Sequence, residues 1–478
     1  MNRKLVICIA GLCLGGVAPG VADDVWNSGP LFDEFKLTLD AGERTEILGP
    51  LFNTECREES SHWAVPPLMS AGRNQGLETA DFDLLYPLVT YDRFGGEYRF
   101  HILQVFAFAG GRDQEDNAAR RFTLFPFYFQ QRSAKPEQNY TALLPLYGDL
   151  QGRLFRDEIH FVLWPGYVRT RKKDVVTENY LLPFVHVRRG EGLEGWQFWP
   201  FYGAEHKAVT TRTNGFGDAE TVGGHDKRFV AWPFFFDQTT GLGTENPAHQ
   251  QACVPLYSFL RSPLRDSTSY LWPLGVTITD DRARGYREVD APWPFIVFAR
   301  GEGKTTSRVW PLFSRAASIN QQSDFYLWPL YKYNRFQSAP LDRDRTRILF
   351  FLFARVNERN TDAGTVRQRT SLWPLFIHKH EFDGDTRLQI LAPLEPLLPN
   401  NKSIERNYSP VWSVWRAERN AQTGASSQSL LWNLYRRETT PETRKSSCLF
   451  GLVQYESGSQ GRRARLFYVP LGRRLARP

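Results

Sequence analysis

Along this chain a short apolar block returns about every 20 residues, and the stretches between blocks are polar. The block reads apolar, aromatic or apolar, Pro, Leu or Phe, aromatic or apolar. Its sharpest copies are Leu271-Trp272-Pro273-Leu274, Val309-Trp310-Pro311-Leu312-Phe313, Leu327-Trp328-Pro329-Leu330-Tyr331 and Leu372-Trp373-Pro374-Leu375-Phe376. Looser copies centre on Pro30, Pro50, Pro67, Pro87, Pro126, Pro145, Pro165, Pro183, Pro200, Pro233, Pro255, Pro294, Pro393, Pro410 and Pro470. Val105, Phe351, Asn433 or Gly451 replaces the proline in four more. The 23 copies from 30 to 470 have a mean spacing of 20, with one gap of 33 between Pro200 and Pro233. Eight of the 14 Trp stand directly before a motif proline, a register that chance does not produce.

The units lack a 3.6-residue apolar period and carry a central proline, so helices are not expected. Turn signals lie between the blocks: Gly95-Gly96, Gly190-Glu191-Gly192, Asp280-Asp281-Arg282, Gly301-Glu302-Gly303 and Asp383-Gly384. The flanks are rich in strand formers, as in Val276-Thr277-Ile278-Thr279. This pattern predicts one strand of roughly 10–14 residues per unit, with the apolar block at its waist. Short turns cannot return a chain parallel. The expected fold is therefore all-β, an antiparallel meander of about 20 or more strands. Its edges need protection, and closure into one large β-barrel is the expectation, with a propeller-like soluble β repeat as the alternative.

Units of this length suit membrane strands of about 9–11 tilted residues. Arg345 to Arg355, greasy at the centre and charged at both ends, fits a spanning band with aromatic girdles. Against this, the block around Pro329 places apolar residues on both faces, and a strand-centre proline loses a ladder bond. Two-sided apolarity predicts a greasy interior, filled by side chains or lipid-like cargo.

The first residues add an address. Arg3 and Lys4, the apolar run from Leu5 to Gly16, and Gly20 and Ala22 before Asp23 predict a signal peptide over 1–22. Residues 23–80 then form an N-terminal cap or the first repeats, and 81–478 the β-repeat barrel or meander, with an insertion at 203–228. That insertion, Gly203 to Arg228, is Gly- and Thr-rich, carries His206, His225 and Asp226, and is the best candidate for a functional loop. The stretch from Pro393 to Pro410 also departs from type and reads as a break between two runs of strands.

Composition narrows the chemistry. A net charge of +7 and a pI near 9.1 permit attraction to anionic surfaces. The basic residues are scattered, so nucleic acid is not an expected partner. Cys56, Cys253 and Cys448 are too few for a disulfide scaffold, although one bridge could form. Gly301-Glu302-Gly303-Lys304-Thr305 lacks the first glycine of a phosphate loop and reads as a hairpin turn. His378-Lys379-His380 puts two imidazoles on one strand face without a third ligand. No catalytic residue, cofactor or metal is assigned, and an enzyme is not expected.

The Leu-Trp-Pro-Leu-Phe/Tyr blocks at this spacing resemble those of uncharacterised exported Gram-negative bacterial proteins. The resemblance implies an envelope location and no activity. The expected function is an outer-membrane-type β-barrel with a structural or transport role, partnered by outer-membrane lipid or another envelope component. The alternatives are a soluble periplasmic or secreted β-repeat binding protein, and an enzyme acting on carbohydrate or lipid.

Overall fold

The computed structural model describes residues 31–112, 118–213, 217, 219–459 and 461–471. The leader read over 1–22, the block at Pro30 and the basic end beyond 471 lie outside them. Strands hold 62% of the chain and helices 4%, so the protein is all-β. One sheet contains 43 strands. Every described pairing in it is antiparallel and joins strands consecutive along the sheet, from Phe32–Lys36 with Gly42–Ile47 to Gly461–Leu466 with Val469–Leu471.

The long antiparallel meander is as the spacing predicts, but each unit supplies two strands of about six residues instead of one long strand. The apolar block is the turn between them. Leu327-Trp328-Pro329-Leu330 links Gln321–Tyr326 to Tyr331–Ser338, and the Leu330 N–H closes it by donating to the Leu327 carbonyl at 2.7 Å. The Trp328-Pro329 bond is cis, as it is at Trp272-Pro273, Trp310-Pro311 and Trp373-Pro374. Proline thus stands at the third position of a type VI turn, where no N–H is needed. This placement removes the ladder loss that a strand-centre proline would incur. Blocks without proline turn by consecutive left-handed residues, as at Leu349 (φ 46°) and Phe350 (φ 61°).

Because every second turn is an apolar block, these blocks fall on one edge of the sheet and the polar turns on the other; the copy at Pro410 lies instead in a short helix and the copy at Pro470 in the last strand. Glu302-Gly303, between Ile296–Gly301 and Lys304–Val309, is a polar-edge hairpin, as its sequence predicts. Asp383-Gly384 also lies in a hairpin, but in a longer connection between Phe376–His380 and Thr386–Ile390.

Strand alternation divides the faces. Next to the block edge, one face carries Tyr326, Tyr331, Ile348, Phe353, Leu372 and Phe376 in register. Two rows further on, the same face carries Arg335, Asp344, Asn357 and Gln368. The opposite face holds nearly all the buried positions, and many are polar: Asn53, Glu55, Ser70, Asp83, Thr306, Ser314 and Ser371. We call this buried face the inner face. The inner face also carries apolar residues, with Tyr140, Ala142, Leu150, Phe161 and Val168 in one cluster and Val297, Phe325, Val356 and Ile377 further along the sheet. The interior is thus mixed instead of uniformly greasy, and the apolar blocks themselves gather at the turns and the adjoining outer row.

Among the described residues the sheet does not close by backbone pairing. Phe32–Lys36 and Val469–Leu471 each pair with a single neighbour. The accessible surface, 30645 Å², compares with about 18,000 Å² for a compact protein of this mass. The chain therefore exposes more surface than a compact globule of its mass.

Candidate functional site: the block edge and the clasp of the chain ends

Two features concentrate the chemistry of the fold. The first is the block edge. Its turns are laddered to one another: the Trp328 N–H donates to the Pro311 carbonyl at 2.8 Å, and the Trp164 N–H to the Pro145 carbonyl at 2.6 Å. Rings of successive turns touch, with centroids 6.0 Å apart for Trp310–Trp328, 5.9 Å for Trp199–Trp232 and 5.5 Å for Phe351–Trp373. The side chains nonetheless face outward, Leu274 being 80% and Phe155 94% exposed. Phe155 sits on the polar edge, but Leu271, Trp272, Leu274, Trp328, Leu330 and Phe350 make the block edge a continuous exposed apolar border. Soluble monomers rarely carry patches beyond a few hundred Å².

The second feature is a clasp where the inner faces of the chain's two ends meet. The Asn433 amide donates to Glu46 Oε2 at 2.8 Å and to Asp33 Oδ2 at 3.2 Å. The Arg436 guanidinium lies 3.2 Å from the Phe35 ring centroid, a cation–π contact. The Asn420 amide donates to the Leu39 carbonyl at 3.1 Å.

Beside this contact the chain leaves the sheet between Thr386–Ile390 and Trp415–Arg419 to form two short helices, α1 (Lys402–Asn407) and α2 (Ser409–Trp412). Asn401 caps α1 by accepting from the Ile404 N–H at 3.1 Å. The flanking strands still pair, Ile390 opposite Trp415. The predicted break over 393–410 is thus corrected: the sheet runs on, and the segment is a plug. Arg406 donates to Ser70 and Asp83, both at 3.0 Å, and pairs with Asp81. Tyr408 donates to the Tyr86 carbonyl at 2.6 Å, and Lys379 pairs with Glu405 at 2.6 Å.

Between the ends lies a cavity of about 110 Å³, lined by Arg44, Glu55, Arg57, Arg387, Arg416 and Glu418 among others. Burial pushes the Asp33 carboxyl up to about 6, with Glu46 and Glu438 adding repulsion against Arg436. Burial pushes His62 down to about 4, so its 3.4 Å contact with Glu55 involves a neutral imidazole near neutral pH. Burial opposes ionisation of Glu55, yet His62, Arg44 and Arg57 together hold it below the usual carboxylate range. Burial pushes Arg416 down to about 10, with Arg44 and Arg387 adding repulsion. The clasp joins the two ends of the sheet through side chains.

The insertion at 203–228 resolves into sheet strands at its ends and an added hairpin, Thr210–Thr213 with Ala219–Val222, on the polar edge. Residues 214–216 and 218 lie outside the described residues. At its foot, Glu205 accepts from Arg188 at 2.7 Å and contacts His225 at 2.6 Å, while His206 faces Asp226 across the strands. His378 and His380 lie on the outer face of one strand. Among the described residues no group of three or more His, Cys, Asp or Glu is placed to hold a metal ion. Cys56, Cys253 and Cys448 are free thiols. Sequence reasoning found the blocks but missed the clasp, whose partners are about 400 residues apart. No protein-family model matches the chain, and no curated protein matches it significantly.

Proposed function

We propose that this chain is an exported envelope protein of structural or transport role whose block edge beds into one leaflet of a lipid bilayer. The leader read over 1–22 supports export. The observation that carries the lipid contact is the continuous exposed border of Leu, Trp and Phe along the block edge, where the other edge carries only separate apolar residues such as Leu154, Phe155 and Ile319. The turn and the adjoining outer row give an apolar height of about 10 Å, which fits within half of a hydrocarbon core of about 30 Å. Trp and Tyr in this border are suited to the headgroup level. Polar inner positions fit a sheet whose concave side holds water.

An outer-membrane barrel is the second reading, favoured by an apolar outer row over a polar interior, but it would require the end strands, each paired here with a single neighbour, to close on one another. The six-residue strands rank it second. They reach about 20 Å at 3.3 Å per residue, short of an apolar band of about 25 Å, and charged residues begin within the outer face.

Vesicle flotation tests the proposal. The mature chain is expected to float with phosphatidylcholine vesicles. Trp272→Asp, Leu274→Asp, Trp328→Asp and Leu330→Asp combined are expected to leave it in the aqueous phase with an unchanged far-UV spectrum. A wild-type chain that stays monomeric and vesicle-free overturns the reading in favour of a soluble binding repeat.

A further inference from the structure

On the inner face the cations are generally matched by acids: Arg44 with Glu46, Arg387 with Glu418, Arg436 with Glu438, Lys304 with Glu288. One region departs from this. Over the strands from Lys304–Val309 to Val366–Leu372, the inner face carries Arg308, Lys332, Arg345, Arg347 and Arg369. None of the five has a carboxylate partner within 4.0 Å among the described residues.

The register brings them together. Lys332 stands directly opposite Arg347, Asn334 opposite Arg345, and Val356 separates Arg345 from Arg369. Arg308 is three strands from Lys332, yet its charge is felt there, as are those of Arg345 and Arg347. Between Arg308 and Lys332 the inner face carries Ser314 and Phe325, both buried. They leave a floor over which arginine stems can lie with their heads gathered. The Nε atoms of Arg345 and Arg347 are buried and have no hydrogen-bond partner.

Two of the three bordering acids are committed elsewhere. Glu358 is held by Arg343 and Arg367, and Glu288 by Lys304. Asp290 lies beyond Arg308, with one carboxylate oxygen buried and unpartnered. Like charges placed directly opposite on a sheet destabilise it, so the cluster costs stability unless an anion joins it. Adjacent guanidinium forks match phosphate oxygens in geometry and charge.

We propose that Lys332, Arg345 and Arg347, flanked by Arg308 and Arg369, form a binding site for anionic phosphate groups, borne either by a lipid headgroup or by a free polyphosphate. The site is independent of the block edge and would stand if lipid bedding failed.

Calorimetry with inorganic tripolyphosphate, and binding to vesicles with and without phosphatidylglycerol, test it. The wild-type mature chain is expected to bind tripolyphosphate with an affinity that falls as salt rises. Arg345→Gln with Arg347→Gln is expected to weaken binding by about tenfold or more. Arg335→Gln, on the outer face and paired with Asp342, is expected to change it little. The double variant should melt no lower than wild type, since it relieves repulsion, which separates lost binding from lost fold. A phosphatidylglycerol dependence that vanishes in the double variant assigns the phosphate to a headgroup; tripolyphosphate binding without that dependence assigns it to a soluble ligand. Absence of both in the wild type, or unchanged binding in the double variant, overturns the proposal.

Discussion

The side-chain amide of Asn433 donates to the Asp33 carboxylate at 3.2 Å, joining residues 400 positions apart in a sheet whose end strands do not pair. It also serves Glu46, which stands directly opposite Asp33. One amide therefore bridges two buried acids, and the ends of the 43-stranded sheet meet through such side-chain contacts in place of backbone closure.

Asn433→Leu removes the donor and leaves both carboxylates buried opposite an apolar group. Loss of about 1–3 kcal/mol is expected, read as a lower urea midpoint. Because the ends would part, solution scattering should show a larger radius of gyration for the folded variant.

The same pair carries a pH dependence. The Asp33 pKa is raised from 3.8 to about 6, so its contribution to stability is fully present below 3.8 and is lost as pH rises through about 6. Asp290, raised to about 6 by burial, acts in the same direction. His62, lowered from 6.5 to about 4, acts oppositely: its contribution is present above 6.5 and is lost as pH falls through about 4. Asp33→Asn should therefore gain on wild type in urea midpoint between pH 4 and pH 7. A difference independent of pH would contradict this assignment.

Leu327 holds a left-handed backbone (φ 44°) while its side chain is 55% exposed. For an L-residue this conformation costs roughly 1–2 kcal/mol. Leu327→Gly should therefore raise the melting temperature while weakening vesicle flotation, since a border residue is lost. A parallel fall in both would show that Leu327 serves the fold rather than the membrane contact.

Thiol labelling checks the local packing. In a chain beginning at residue 23, Cys56 and Cys448 are exposed and Cys253 is buried. Two thiols are expected to react rapidly in the native state and the third only in urea, with no reductant-dependent gel shift.

Much of the architecture was legible in the sequence. The register of the blocks, the antiparallel meander and the hairpin at Glu302-Gly303 follow from spacing and turn chemistry. The position of the blocks was misjudged because an apolar run bounded by charge, such as that around Leu349 and Phe350, looks the same at a strand waist as at an exposed turn. Proline carried the better clue, since a residue without an N–H belongs where the ladder already ends. The plug was hidden for another reason: α1 is six residues long and is held by contacts to Ser70 and Asp83 that no local window reveals. The inner cations were equally invisible, because Lys332 and Arg347 share a face only once the turn at Pro340 is placed.

Alternation of the two turn types imposes a parity rule on this fold. Duplicating or deleting one hairpin, the span of a single repeat, returns the next block to the same border and lengthens or shortens the arc without disturbing its polarity. A change by one strand would send every later tryptophan to the opposite border. Copy number is thus free to vary only in whole pairs of strands, and the extra hairpin between Pro200 and Pro233 obeys this rule by standing outside the main ladder.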